Sequence, residues 1–522
     1  MADYEELLYD NHPFALTHPD HLGTLAGLFG VGAAPVTRCR VLELGCGLGG
    51  NLVPLAAMFP ESRFVGVDRS QPQIAVGQAD ARALGLDNLR LVAMDILELT
   101  PEWGQFDYII CHGVFSWVPP DVQQRILDIC RVHLAPRGVA YISYNTYPGW
   151  HLRGMIRGML RRHVTATDPV ERVRQARALL TTIVDYAPAE HNLAAHWLKK
   201  EVAVIGDLSD AYVLYEHLVD VNTPLWFRDF AEQAARAGLQ YVGDAEFGSM
   251  FVDRLGPGAG ERIATLADGL VETEQVLDYL NVRFFRRSIV CHAEMKLDRE
   301  LTADRLRGRW IASRLELQDD DTFKSPEGMV IDTHDALVKA ALKVLTEHPQ
   351  GLAFETLVHH AALVVGRPPT ADDRTELGGP LLELFASNAL RIGTWPRPWS
   401  LAVDDRPVAP RFARHQARQG SVCSNLEHQA LGLDAVDRAL IARLDGRDRA
   451  ALIAAMADDL EREVYSVTID DEPLRDPELI GELIDKKLVQ LAARALILKP
   501  GSKERLAHVA HDHDRDHPEQ QQ

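Results

Sequence analysis

The chain has 522 residues, a length that suits about three domains. Its 46% hydrophobic content supports substantial cores, and a formal net charge of −20 argues against a surface that tracks nucleic-acid phosphates, so no nucleic-acid partner is expected. The same charge suits a cationic substrate, or serves solubility alone. No run approaches about 18 apolar residues, so no membrane span is expected. The acidic start MADYEELLYD is unlike a signal peptide. Six cysteines (Cys39, Cys46, Cys111, Cys130, Cys291, Cys423) lack zinc spacing and read as buried free thiols in a reducing cytoplasm, with no metal site.

Residues 1–35 read as an arm and helix leading to a sheet, with Tyr9, Pro13, Phe14, Thr17 and His18 in the arm. Val41-Leu42-Glu43-Leu44 then runs as a buried strand into the turn Gly45-Cys46-Gly47-Leu48-Gly49-Gly50 and a helix over Asn51–Met58. Glycines let a ligand approach the backbone, and the helix start behind them offers free N–H groups. Gly45, Gly47 and Gly50 also satisfy a dinucleotide fingerprint, so an NAD enzyme is one reading. Glu43, however, is an acid which that pattern does not need. A second strand, Arg63–Val67, ends in Asp68, placed to hold two ribose hydroxyls or, alternatively, to cap the helix Pro72–Leu84. A third, Leu89–Ala93, ends in Met94-Asp95-Ile96, where a carboxylate can accept from an adenine amino group and Ile96 can lie on the ring. A fourth, Phe106–Cys111, opens into His112-Gly113-Val114-Phe115-Ser116-Trp117, and Asp121 reads as the N-cap of a helix to His133. A fifth, Val139–Ser143, opens into Tyr144-Asn145-Thr146-Tyr147. Ligand-type residues at four successive strand ends are a stronger signal than the glycines.

Residues 151–221 are helical in pattern, with Arg153, Arg157, Arg161 and Arg162 near the start, and Asn222-Thr223-Pro224 stops them. A helix over Trp226–Ala237 leads to the apolar strand Leu239–Val242, and a further strand runs from Arg286 to Ala293. Helices are expected over Thr333–Glu347, Phe354–Ala362 and Leu381–Ser387, followed by a wing-like strand at Leu390–Trp395. A second, similar cycle is expected from Leu433 to Leu498, with helices at 435–444 and 448–458 and a final apolar helix or strand at Leu488–Leu498. The tail carries His508, His511, His513 and His517 among aspartates, and reads as disordered, with metal binding as the alternative.

The segments ELGCGLG, GVD and MDI, with the loops after strands four and five, resemble a class I S-adenosylmethionine (SAM) methyltransferase. LYDNHPFALTHPDHL, CHGVFSWVPP, SYNTYPGWHLRGM and YEHLVDVNTPLWFRDFAEQAARAGLQYVGDAEF resemble bacterial methyltransferases that carry a methyltransferase regulatory domain, a group that includes rickettsial-type protein-lysine methyltransferases. The likeness is strong from Tyr9 to about Ala293. Relatives often carry an acid where this chain has Leu48.

The resemblance implies an α/β fold. A doubly wound, Rossmann-like, seven-stranded sheet holds a helical insertion before its sixth strand, and winged-helix-like α+β modules follow. The expected domains are a catalytic SAM-binding core at 1–150, the insertion at 151–221, a regulatory region completing the sheet at 222–298, a winged-helix-like domain at 299–420, a helical module at 421–505 and the tail at 506–522. Acids outnumber Lys and Arg in the first winged-helix-like stretch, so it reads as a protein-contact or homodimer surface rather than a DNA binder.

On the same footing, Glu43, Gly45, Gly47 and Gly49 contact the cofactor's methionine portion, with the arm folded over it. Asp68 serves the ribose, Asp95 and Ile96 the adenine, and Arg69 is a further cofactor-binding candidate. SAM carries an activated methyl, so the protein must align a nucleophile behind it and keep water out. For a lysine amine with a free pKa near 10.4, a desolvated aromatic channel and the sulfonium disfavour the ammonium. Candidates around that channel are Phe115, Trp117, Tyr144, Tyr147 and Trp150, with Asn145 accepting from the amine and His112 relaying a proton or touching the cofactor. Each can equally be a packing residue. The leading expectation is methyl transfer to lysine side chains of a protein. The alternatives are a small-molecule or natural-product methyltransferase on the same architecture, a SAM-binding regulator without activity, and the NAD enzyme.

Overall fold

The computed structural model describes residues 11–190, 192–469 and 472–501. Tyr9 of the arm and the histidine-rich tail lie outside them. After α1 (Pro19–Leu28) come β1 (Arg40–Leu44), α2 (Leu52–Met58), β2 (Arg63–Asp68), α3 (Gln71–Ala83), β3 (Leu89–Ala93), β4 (Phe106–Cys111), α4 (Pro120–His133) and β5 (Leu134–Asn145). These five strands are parallel. Successive β1 residues serve opposite faces, as the two-residue period requires. Val41 packs with α1 and α2, while Leu42 and Leu44 pack with Ile126, Leu127 and Ile129 of α4. Asp121 does not cap α4. Pro119 flanks the helix and Pro120 is its first residue, so Asp121 falls in the first turn, where the helix dipole favours an acid. The α3 cap is Ser70, whose hydroxyl accepts from the Gln73 N–H, which leaves Asp68 out of that role.

An insertion follows, comprising α5 (Gly149–His163), α6 (Pro169–Tyr186), α7 (Leu193–Gly206) and α8 (Asp210–Tyr212), which runs into a π-helical turn over Val213–Leu218. Ile156, Leu160, Val173, Leu180, Val202, Ile205 and Leu214 give it a core separate from the sheet. Then α9 (Phe227–Arg236), β6 (Leu239–Asp244), α10 (Ala259–Ala264), α11 (Leu270–Asn281) and β7 (Phe285–His292) return to the sheet. The strand order is β3-β2-β1-β4-β5-β7-β6, with β7 antiparallel to both neighbours. The sheet therefore closes at His292, with the helical insertion between β5 and β6.

A buried guanidinium holds that closure. Arg286 of β7 is fully buried, donates to both carboxylate oxygens of Asp278 at 2.8 Å and to Glu274 at 2.9 Å, and lies 3.9 Å from the Phe227 ring centre.

The C-terminal part begins with β8 (Trp310–Ser313) and the two-residue strands β9 (Glu316–Leu317), β10 (Phe323–Lys324) and β11 (Val330–Ile331). Next come α12 (Ala336–Glu347), β12 (Leu352–Ala353), α13 (Phe354–Val365), α14 (Asp373–Ala386) and β13 (Leu390–Gly393). The stretch expected as a wing strand is β13. It pairs with β8 in a sheet ordered β12-β8-β13, not with a neighbouring hairpin partner. The last unit holds α15 (Arg411–Gln419), β14 (Val422–Ser424), β15 (Ala430–Gly432), α16 (Ala435–Ile441), α17 (Arg449–Glu461) and α18 (Pro477–Ala493). Leu488–Leu498, left open between helix and strand, starts inside α18. The expected boundary at 420/421 falls between α15 and β14, where the Ser424 N–H donates to Gln416 Oε1 at 2.8 Å, so the unit begins before α15. Phe354, Phe385, Phe412, Leu440 and Ile484 belong to one continuous apolar cluster with Leu25, Val41, Leu52 and Phe64. Among the described residues no helix is long and apolar enough to cross a membrane.

Arg286→Ala removes the cation facing Asp278 and Glu274 and leaves those acids buried. We expect a loss of about 3–5 kcal/mol of folding stability, read from urea unfolding curves.

Candidate functional site

The chain leaves β1 through backbone that only glycine adopts easily: φ is +74° at Gly45, +53° at Gly47 and +76° at Gly49. The Gly45 N–H donates to Val67 O at 2.8 Å and the Gly47 N–H to Asp68 Oδ2 at 2.9 Å, so the turn is tied to the end of β2. A Cβ on Gly45 would strike Val114, and one on Gly47 would strike the Asn11 amide, which donates to Cys46 O at 3.1 Å. The N-terminal arm thus lies on the glycine turn.

Glu43 shares the Val41 face of β1 and is buried. Its Oε1 accepts from Asn51 Nδ2 at 3.0 Å, and its Oε2 has no partner among the described residues. Burial pushes its pKa up to about 8; the Asn51 hydrogen bond opposes that shift, and the nearby Asp68 adds to it. An unpaired buried carboxylate oxygen beside a glycine turn fits a cationic donor. The α-ammonium of SAM is such a group.

Asp68 and Asp95 stand at the ends of β2 and β3. Asp68 Oδ1 accepts from the Ser70 N–H at 2.9 Å, which holds the carboxylate against the turn through both oxygens. Asp95 is half-buried, and its Oδ1 accepts from the Leu97 N–H at 3.0 Å, starting a short 3₁₀ turn at Ile96. Arg69 is exposed and Ile96 half-buried. The backbone thus aims both carboxylates along the strand ends before any ligand arrives.

Beyond β4, His112 Nδ1 lies 2.9 Å from the Tyr141 hydroxyl and 3.3 Å from Ser143 Oγ. Its ring sits 3.9 Å, centre to centre, from Phe14 of the arm. Burial lowers its pKa to about 3, with Arg287 adding to the shift. It is therefore a neutral imidazole at neutral pH and a weak base.

The Tyr144 assignment needs correcting. Period-two alternation puts Tyr144 on the opposite face from Tyr141 and Ser143. Its ring stacks on Phe230 at 4.3 Å, and its hydroxyl bonds Ser288 Oγ at 3.0 Å, so it is a core residue and not part of an acceptor channel. Trp117 likewise packs, edge-on to Trp150 at 6.0 Å and against the insertion's core. Asn145 Nδ2 donates to Asn222 Oδ1 at 3.1 Å. Tyr147 stacks on His151 at 4.2 Å and leans on Trp226. Tyr147, Trp150, Asn222 and Pro224 line a cavity of about 480 Å³ together with Arg157, Arg161 and Arg162.

Tyr141 and Ser143 escaped sequence reading, although alternation back from the end of strand five would have found them. Asn51 read only as a helix start. Asn222 read only as a helix stop. His428, whose Nε2 reaches Asn51 Oδ1 at 2.7 Å from the C-terminal unit, carried no local signal.

Three family descriptions match the chain: "Methyltransferase domain" over residues 41–138, "Predicted methyltransferase regulatory domain" over 209–292 and "PKMT, C-terminal winged helix domain" over 405–496. Uncharacterized protein RP789 of Rickettsia prowazekii (strain Madrid E) is 31% identical over 501 residues, covering 92% of this chain and 90% of that protein. Uncharacterized protein RP028 of the same organism is 38% identical over 234 residues, 45% of this chain and 94% of its own. The solved structure of PKMT2 from Rickettsia typhi superposes with a TM-score of 0.84 at 28% identity, covering 94% of this chain and 100% of that one. The same protein in complex with AdoHcy gives 0.83 over the same shares.

Buried neutral histidines make stability depend on pH. Burial holds His18 and His112 at about 3 and His217, a core residue of the insertion, at about 4. These values lie below the unfolded value near 6.5. Their contribution is therefore complete above that pH and declines as pH falls, by about 1.4 kcal/mol per pH unit for each group. Urea unfolding should show stability dropping between pH 7 and 5, with a shallower slope in His217→Leu.

Proposed function

This chain belongs to the class I SAM-dependent methyltransferases that carry a methyltransferase regulatory domain and a PKMT-type winged-helix domain, and we propose that its acceptor is the amine of a lysine side chain on a protein. The observation that carries this reading is the likeness to PKMT2 across 94% of the chain, which takes in the insertion and both C-terminal units as well as the sheet. The net charge of −20 adds a field that attracts a cationic protein segment.

SAM, when bound, supplies a methyl group already activated by a sulfonium. In our reading Glu43 Oε2 takes the cofactor's α-ammonium, and the turn at Gly45, Gly47 and Gly49 lies along its methionine portion. Asp68, with Arg69 beside it, serves the ribose hydroxyls, and Asp95 and Ile96 the adenine. On the acceptor side, Asn145 and Tyr147 stand at the end of β5, with His112 nearer the glycine turn. A group with a pKa of about 3 does not strip a proton from an ammonium near neutral pH. The proposed role of His112 is therefore to orient, its Nδ1 fixed by Tyr141 and Ser143. Phe14 and Phe285 flank its ring. Tyr144 and Trp117 support this arrangement from the core.

Incubation of the purified chain with lysate proteins and isotopically labelled SAM, followed by peptide mass spectrometry, should find the label as added methyl groups on lysine. Label confined to small molecules overturns the protein acceptor and favours the alternative acceptor class. A second outcome concerns Glu43. Its raised value means that the ionised fraction grows as pH rises from 6 towards 8, so affinity for SAM should rise over that interval by up to about tenfold per unit. Calorimetry should show this rise in the wild type and a flat profile in Glu43→Gln.

A further inference from the structure

The tip of the β14–β15 hairpin lies in the wrong place for an ordinary surface loop. Asn425, Glu427 and His428 are each 96–98% buried, and the tip reaches out of its own unit to Asn51 and His18 of the catalytic part. It is built to keep its shape there. Asn425 Oδ1 accepts from the Glu427 and Gln429 N–H groups, each at 2.9 Å, and Asn425 Nδ2 donates to Arg494 O at 3.0 Å. Glu427 pairs with Arg314 at 2.7 Å and Arg391 at 3.1 Å. His428 adopts φ +60°, a left-handed conformation uncommon outside glycine and usually held for a reason.

What this conformation delivers is an imidazole to Asn51. His428 Nε2 lies 2.7 Å from Asn51 Oδ1. The Phe14 backbone N–H, which can only donate, meets the same oxygen at 3.2 Å. That fixes the amide: Oδ1 faces the arm and the hairpin, and Nδ2 faces Glu43 Oε1. It also fixes the imidazole, because a ring nitrogen facing an amide oxygen must carry the hydrogen. The hydrogen bonds run in one direction, from His428 to Asn51 to Glu43.

We propose that His428 is a positioning residue for the cofactor: the C-terminal winged-helix unit completes the SAM site by locking Asn51, which in turn turns the free oxygen of Glu43 toward the ligand's amino-acid end. This rests on the reading that Glu43 receives the α-ammonium. Other contacts hold the two units in register for it. Asp80 of α3 accepts from His415 at 2.9 Å and from Gln419 at 2.8 Å, both on α15. A catalytic sheet separated from this unit would keep its glycine turn, and the Phe14 N–H and Thr17 hydroxyl would still donate to Asn51 Oδ1, but it would lose the shortest of the three hydrogen bonds that hold Asn51.

The test compares two ligands by calorimetry on the full chain. AdoHcy has the amino-acid end; 5′-methylthioadenosine has the same nucleoside without it. His428→Ala should weaken AdoHcy by about five- to twentyfold, the loss of one buried hydrogen bond to a site that meets charge. Methylthioadenosine should be unaffected. His428→Gln, which places an amide N–H near the same point, should recover most of the AdoHcy affinity and also serves if the alanine variant melts early. Equal weakening of both ligands without rescue by glutamine overturns the proposal in favour of a merely structural residue. Unchanged AdoHcy affinity in His428→Ala, with Glu43→Gln still weakening it, overturns the role of His428 alone. Unchanged affinity in Glu43→Gln overturns the reading beneath it.

Discussion

Glu43 has one oxygen hydrogen-bonded to Asn51 and the other without a partner among the described residues, and this imbalance organises the mouth of the sheet. A carboxylate removed from water keeps its charge only if something else supplies the missing donors. The protein supplies one through Asn51 and withholds the second. In the proposed reading, a cationic ligand group supplies it. The arm and the hairpin of the last unit both reach Asn51 by hydrogen bonds, although the hairpin's His428 lies 377 residues further along the chain.

The sheet was legible because its signals are local. A buried strand that ends in an acid and three glycines, followed by strands that end in Asp68 and Asp95, needs only the pleat and the turn to be understood. The late closure by β6 and β7 was legible through the resemblance, in which the last two strands of the sheet follow the helical insertion. The acceptor side was harder. Tyr144 looked like a channel residue because it follows an apolar run, yet one step of alternation decides between mouth and core, and here the mouth received Tyr141 and Ser143. The boundary at 420/421 failed for a related reason. Arg411–Gln419 is strongly polar, so it read as the end of one unit, while its apolar residues Phe412, Ala413 and Ala417 in fact start the next. His428 lay beyond any local reasoning, since only the docking of two distant units gives it a partner.

The apolar interior is divided unequally. One cluster runs from the α1–α3 side of the sheet into both C-terminal units, and a second fills the α4 and α9 side. The insertion has its own, built from α5, α6, α7 and the π-helical turn. Burial of this kind makes the sheet and the C-terminal units mutually dependent, whereas the insertion contributes little to either sheet core. The guanidinium network of Arg286 performs the corresponding task at the far edge, joining α11 to β7 through charge rather than apolar contact.

That separate core in the insertion bears on descent as well as on mechanics. A segment that packs mainly on itself can accumulate substitutions, lengthen or be exchanged between lineages while the donor-handling machinery stays as it is. The architecture resembles a fixed tool with an interchangeable jig, and related chains can be expected to differ most between β5 and β6.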